Sequence, residues 1–325
     1  MKPCEPIRIP HPSKAFNHQI HTRNIMEITV LGTASIGGVP EWDCTCPNCS
    51  AARKNPSLRR TRSAITVTLD GYKHILFDAG HDLKTQLETN NLTPQPETAG
   101  ETYRESRLDS VFLTHGHADH TAGIAEFCTG KSFEIPVYAP PDLVDFLFGT
   151  EERPNYFGEL GRLAKNYVKP IKLADSQPVE RLGVTVKGFE IPHTQVLDDG
   201  RKYPSTTYAY EIEYNEKRVI YAPDLGRLDK WLLERLEGVD VFLVDATFWW
   251  DNELERISGI PVTSYQLGHV PQEEAVNILK DADIGRVIYT HFNHTNPAVD
   301  PTSIQRKIVE NMGQEIAHDG MKISL

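Results

Sequence analysis

Residues 113–123, LTHGHADHTAG, set His115, His117, Asp119 and His120 within six positions, directly after a short apolar run. The run, SVFL at 110–113, has the β-branched and aromatic character of a strand. If the strand ends near Thr114, the residues after it form a loop whose side chains can fold around one point. Imidazole nitrogens and a carboxylate suit zinc, iron or manganese, and loops at strand ends are a usual place for such sites. The plain alternative is a polar loop with surplus histidines. Four potential ligands in six residues weigh against it.

The same chemistry recurs further along. FEIPHTQ (189–195) places His193 after a strand pattern, VIYAPDLG (219–226) places Asp224 after another, and VIYTHFNH (287–294) places His291 and His294 after a third. Each alone reads as a cap or turn residue. Four strand ends carrying the same donor types argue for one cluster assembled from distant parts of the chain.

Around these points, short β-branched runs (ITVLG, SAITVTL, HILFDAG, PVYAP, VTVKGFEIP, TYAYEIEY, DVFLVDAT) are interspersed with helical patterns (DKWLLERL, PQEEAVNILKDA, PTSIQRKIVENM). That order predicts an α/β (α+β) protein with two sheets covered by helices. The 325 residues are enough to bury a full core. Residues 1–25 are polar, proline-bearing and aperiodic, so they read as an N-terminal arm or an upstream start, and 26–325 as a single domain. The net charge of −11 disfavours nucleic acid as a partner, because such binding rests on basic surface. A small anionic substrate stays compatible with it, as does a homodimer. No apolar run approaches the length of a membrane span and no signal pattern opens the chain, so a cytoplasmic location is expected. Of five cysteines, Cys44, Cys46 and Cys49 cluster in WDCTCPNC, which fits metal binding better than a disulfide framework.

With THGHADH, a single His, a single Asp and a TH, each after an apolar strand and in that order, the chain resembles the metallo-β-lactamase fold superfamily. The resemblance covers roughly residues 27–325. It implies an αββα sandwich with two metal ions in a cleft at one edge. His115, His117 and His193 would hold one ion, Asp119, His120 and His291 the second, and Asp224 would bridge them. Asp78 in LFDAG matches a motif that orients a ligand without binding metal itself. Two cations about 3.5–4 Å apart lower the pKa of a bridging water and stabilise the charge on an attacked group.

Cys44, Cys46 and Cys49 need a fourth ligand for a closed tetrahedral zinc site. The expected one is His269 in QLGHVPQEEAV, at a predicted helix start. The stretch LGTASIGGVPEWDCTCPNCSAAR (31–53) is similar to two branches sharing such a zinc knuckle: the pyrroloquinoline quinone biosynthesis protein B family, and the cyclic phosphodiesterase of phosphonate breakdown. The C-terminal half (GHVP, HTNPAVD, AHDGMKI) leans to the first, and the complete ligand motifs lean to the second. Arg59, Arg60 and Arg62 in NPSLRRTRSA are candidates to clamp a phosphate. His294 is a candidate general acid beside Asp119.

The expectation is therefore a metal-dependent hydrolase with a dinuclear zinc, manganese or iron centre and a separate structural zinc. A phosphodiester is the favoured substrate. The competing expectation is an iron-dependent oxidoreductase in quinone-cofactor biosynthesis.

Overall fold

The computed structural model describes residues 25–95, 105–129, 134–150, 167–193 and 206–325; the arm inferred for residues 1–25 lies outside them except for Ile25. Six strands come first: β1 (Glu27–Gly32), β2 (Ala64–Thr68), β3 (His74–Phe77), β4 (Leu108–Phe112), β5 (Ile135–Ala139) and β6 (Val168–Lys172). The second half supplies β7 (Pro178–Arg181), β8 (Val184–Glu190), β9 (Tyr208–Tyr214), β10 (Lys217–Ala222), β11 (Val239–Asp245), β12 (Ile284–Thr290), β13 (Glu315–Ile316) and β14 (Lys322–Ser324). They form two seven-stranded mixed sheets, ordered β14-β1-β2-β3-β4-β5-β6 and β13-β12-β11-β10-β9-β8-β7. The last strand thus crosses back to pair with the first, Ile28 opposite Ile323.

Strand alternation sorts the apolar side chains into three cores. Ile75, Phe77 and Phe112 of the first sheet meet Tyr210, Tyr221, Leu243 and Ile288 of the second in the middle layer. The alternate residues Leu76, Val111 and Val137 turn outward beneath Leu83, Leu143 and Leu147 of the helices Leu83–Thr89 and Pro141–Phe148. On the far side, Phe242, Val244 and Tyr289 pack under Leu232, Leu236, Val276 and Val309 of three further helices. Strands buried on both faces need near-continuous apolar runs, which is why VFLV and VIYT read so clearly. The result is the four-layer helix–sheet–sheet–helix sandwich expected for the metallo-β-lactamase fold.

β3, β4 and β5 run parallel, as do β10, β11 and β12. Their C-terminal ends therefore open on one edge each, where ligands characteristically bind in α/β sheets. Bonds between the edges include the Tyr208 amide donating to the Thr114 carbonyl (2.9 Å) and the Tyr210 hydroxyl to the Leu113 carbonyl (2.6 Å).

Candidate metal centre

Most cleft residues leave the end of a strand. Asp78 follows β3, the segment 113–120 follows β4, His193 follows β8, Asp224 follows β10, Asp245 ends β11 and His291 follows β12. Gly80 lets the first two segments touch: a Cβ there would lie 2.0 Å from the Asp119 carbonyl oxygen. Asp78 and His291 both hold left-handed backbone, at φ 62° and 61°. For residues with side chains this costs about 1–3 kcal/mol, and it persists where surrounding bonds over-determine it.

Those bonds form two matching clamps. Asp78 Oδ1 accepts the Thr114 amide (2.8 Å) and hydroxyl (2.9 Å), and its Oδ2 accepts His120 Nδ1 (2.8 Å). With its proton given to Asp78, the Thr114 hydroxyl accepts His115 Nδ1 at 3.0 Å. Across the cleft, Asp245 Oδ1 accepts the Thr247 amide (2.7 Å) and hydroxyl (2.6 Å), and its Oδ2 accepts His269 Nδ1 (2.6 Å). The Thr247 hydroxyl in turn accepts His291 Nδ1 at 2.8 Å. The Gly268 carbonyl accepts His193 Nδ1 at 2.7 Å. These acceptors favour the Nδ1–H tautomer in His115, His120, His193 and His291, which makes Nε2 the ligand atom toward a metal.

The Nε2 atoms converge on Asp224. Its Oδ1 lies 3.8 Å from His115 Nε2 and 3.6 Å from His193 Nε2, and its Oδ2 lies 3.1 Å from His120 Nε2 and 3.4 Å from His291 Nε2. One carboxylate thus divides its two oxygens between two groups. His115, His117, His193 and Asp224 offer ligand atoms all within 4.8 Å of one another, as do Asp119, His120 and His291. The groups are the two sets expected from the sequence, with Asp224 between them. Asp119 Oδ1 and His193 Nε2 are buried without a hydrogen-bond partner among the described residues. Buried polar atoms left unpaired are costly, and a cation would satisfy both; the donor set fits a divalent metal pair.

Electrostatics within the cleft are sharply divided. Burial drives the imidazoles of His115 and His117 below their usual pKa and that of His193 down to about 4, so these rings are neutral and ready to ligate. Burial works the same way on His120, but the carboxylates of Asp119, Asp224 and Asp78 outweigh it and hold that imidazole well above the usual value. Burial also opposes ionisation of Asp119 and Asp224, and the surrounding imidazoles overcome it and keep both carboxyls ionised.

Two expected assignments exchange places. The fourth member of the cysteine group is His294, not His269: Cys44, Cys46, Cys49 and His294 have ligand atoms within 4.8 Å of one another. His294 Nδ1 sits 3.5 Å from Cys46 Sγ, and its Nε2 lies 2.5 Å from Glu41 Oε2, the carboxylate–imidazole arrangement that orients a zinc ligand. Three thiols and one imidazole suit a closed tetrahedral zinc site. Burial pushes the Cys49 thiol up to about 12, so zinc binding there would displace its proton.

His294 therefore cannot serve as the general acid of the cleft. The chain between it and His291 is not helical, so a spacing of three does not keep the two rings on one face. His269 stands in the cleft instead, with a ring nitrogen within 4.8 Å of Asp224 and His291. Burial lowers its basicity, but Asp245 more than restores it and holds its pKa above the usual value.

The arginine clamp also fails. Arg60 is buried, bonded to the Thr33 hydroxyl and the Ala317 carbonyl (both 2.7 Å), and stacked on Phe292. Arg62 is paired with Asp82 (3.1 Å) and donates to the Ile36 carbonyl, and Arg59 donates to the Ala52 carbonyl. All three tie loops together. Asp245, Thr247, Glu41 and Asn48 were not singled out from the sequence, although Asp245 carries the same sign as Asp78, an aspartate closing an apolar strand.

Comparison with known proteins agrees with the geometry. Residues 73–292 match the family model described as the beta-lactamase superfamily domain. The chain is 32% identical over 313 residues to coenzyme PQQ synthesis protein B of Methylobacterium radiotolerans, spanning 92% of this chain and 100% of that one. The crystal structure of Zn²⁺-bound PqqB from Methylobacterium extorquens is 30% identical, with a TM-score of 0.81 over 92% of this chain and 100% of that one. A diphosphatase of the PhnP family is 21% identical with a TM-score of 0.63, covering 93% of this chain and 97% of that one, a likeness of fold. No helix among the described residues is long and apolar enough to cross a membrane. The chain belongs to the beta-lactamase superfamily, in the branch of the coenzyme PQQ synthesis protein B relatives.

Proposed function

We propose that this protein is a metal-dependent hydrolase of a small anionic substrate, most simply a phosphodiester. Two divalent cations in the cleft would supply a hydroxide nucleophile at neutral pH and take up charge on the attacked group. His115, His117 and His193 would hold one, Asp119, His120 and His291 the other, with Asp224 between them; Cys44, Cys46, Cys49 and His294 would hold a structural zinc.

The observation that carries hydrolysis is the Asp245–His269 pair. Asp245 holds His269 Nδ1 at 2.6 Å and favours the protonated ring, which would leave Nε2–H as the acid, and one ring nitrogen of His269 lies within 4.8 Å of Asp224 and His291. Hydrolysis needs a proton for the departing alkoxide, and a positioned imidazolium contributes on the order of 10²–10⁴-fold. The test is a leaving-group series. His269→Ala should slow an alkyl phosphodiester by that factor, and a p-nitrophenyl phosphodiester, whose leaving group needs no proton, far less. Equal slowing of both would remove His269 from the role.

A second reading has its own support, the 32% identity to proteins named for coenzyme PQQ synthesis. In it the cleft binds iron and the reaction is an oxidation in quinone-cofactor biosynthesis, for which two histidines and a carboxylate are a suitable ligand set. Elemental analysis of freshly purified protein separates the two. Iron with substrate-dependent oxygen uptake supports oxidation, and zinc or manganese with phosphodiester turnover supports hydrolysis.

A further inference from the structure

The cleft and the cysteine group share one strap of chain. Leaving β12, the strap gives His291 to the cleft and, three residues later, His294 to the cysteines. It is pinned along its length. The Phe292 amide donates to the Thr33 carbonyl (2.8 Å), the Ser35 amide to the Phe292 carbonyl (2.9 Å), and the Asn293 amide to the Thr247 carbonyl (3.0 Å). Beyond His294, Asn296 Nδ2 donates to the Ala246 carbonyl (2.7 Å).

From the cysteine side Cys46 and Glu41 meet the His294 ring, and one amide side chain reaches the strap's backbone. Asn48 lies between Cys46 and Cys49, in the helix Pro47–Lys54, and is buried. Its Nδ2 donates to the carbonyls of both His294 and Asn296, each at 2.9 Å. Both amide protons are thus spent on the strap. Helix formation has no use for an asparagine at this place, where it is a mediocre helix former. Its volume and polarity are explained by the two carbonyls: apart from a long 3.5 Å contact from the Cys46 thiol to the His294 carbonyl, the helix brings them no other donor.

We propose that Asn48 is a positioning residue that couples the cysteine site to the second metal group of the cleft. When the cysteines and His294 close on a metal, the helix and the strap are drawn into one rigid unit. Asn48 sets the height of the strap within it, and so holds His291 Nε2 at its 3.4 Å distances from Asp119 and Asp224. This rests on the reading that both groups bind metal.

Cobalt(II) tests it, because thiolate-to-cobalt charge transfer reports the cysteine site and weaker visible bands report the imidazole–carboxylate cleft. Asn48→Leu keeps the volume and removes both donors. The variant should show the charge-transfer band of the wild type while its cleft binds cobalt about tenfold or more weakly, the range typical of lost outer-shell support. Asn48→Gln, which retains the amide, should recover part of the loss. A variant whose cleft affinity and bands match the wild type overturns the proposal.

The unmutated chain offers a test that does not depend on the variant folding. Filling the cysteine site with zinc should tighten cobalt binding in the cleft, and no change would overturn the coupling. Failure of the wild-type cleft to take up any cobalt would instead overturn the underlying metal reading, and the coupling with it.

Discussion

Asp78 and Asp245 close strands in different sheets, yet each spends its carboxylate in the same way: one oxygen on a threonine amide and hydroxyl, the other on an imidazole Nδ1. Each threonine hydroxyl then accepts a second imidazole. The difference lies in where the imidazoles go. In the Asp78 clamp both rings, His115 and His120, present ligand nitrogens to the two metal groups. In the Asp245 clamp only His291 joins one of those groups, while His269 stands beside Asp224 with its basicity raised. Two similar clamps on opposite walls thus divide the labour. On the proposed reading, one would build ligands only, and the other would supply a ligand and a proton donor.

The largest expected effect falls on residues that only the first wall carries. Asp119→Ala and His117→Ala should each abolish turnover with an unchanged circular dichroism spectrum, because each deletes a ligand that no neighbour replaces. Retained turnover in either would break the division at its root. The two clamping aspartates come next. Asp78→Asn touches His120 directly and His115 through Thr114, and should weaken cleft metal binding by roughly 10–100-fold. Asp245→Asn reaches His291 mainly through Thr247, its own oxygen lying 4.0 Å from His291 Nδ1, so the loss of affinity should be smaller. In exchange it should slow substrates with poor leaving groups selectively, as His269→Ala does. Isothermal titration with a metal and the leaving-group series together measure both, and identical profiles for the two variants would erase the distinction between the walls.

A smaller effect separates the histidines whose expected roles were exchanged. His294→Ala should lower bound zinc by one equivalent per chain while the cleft bands of cobalt persist, and His269→Ala should leave the zinc content of the cysteine site unchanged. The reverse pattern would restore His269 to the cysteines.

The fold and the first wall were legible because their signals are local. The sandwich follows from doubly buried strands written as unbroken apolar runs, and HGHADH keeps four donors on one loop and the short helix Ala118–Thr121 that it leads into. His193, Asp224 and His291 could be read because each closes such a run. The second wall is written differently. His269 precedes a helix and His294 follows a strand, so position alone favoured the wrong partner for each. Only the non-helical backbone after His291, with φ of 61°, decides that His294 swings back to the cysteines. Arg60 and Arg62 misled for a related reason: a basic run in an acidic chain suggests an anion site, but their partners, Thr33, Ala317 and Asp82, lie up to 257 positions away.

The second wall also carries a buried carboxyl that tests its construction with no effect on chemistry. Glu253 accepts the Trp249 amide (2.6 Å) and the Thr295 hydroxyl (2.5 Å), the latter on the strap just past His294. Burial pushes its pKa up from 4.5 to about 7, against the pull of those bonds. The folded protein therefore keeps a proton that the unfolded chain releases as pH rises from 4.5. Over this interval the folded state binds more protons than the unfolded one, so stability from this group falls with rising pH and the full cost is felt above pH 7. Glu253→Gln cannot ionise, and its amide can still accept from Trp249 while bonding Thr295. Relative to the wild type it should gain up to roughly 3 kcal/mol between pH 4.5 and pH 7, read from denaturant midpoints at each pH. A stability difference that stays flat across that window would mean that Glu253 is already ionised beneath the strap, held by its two donors more strongly than burial opposes it.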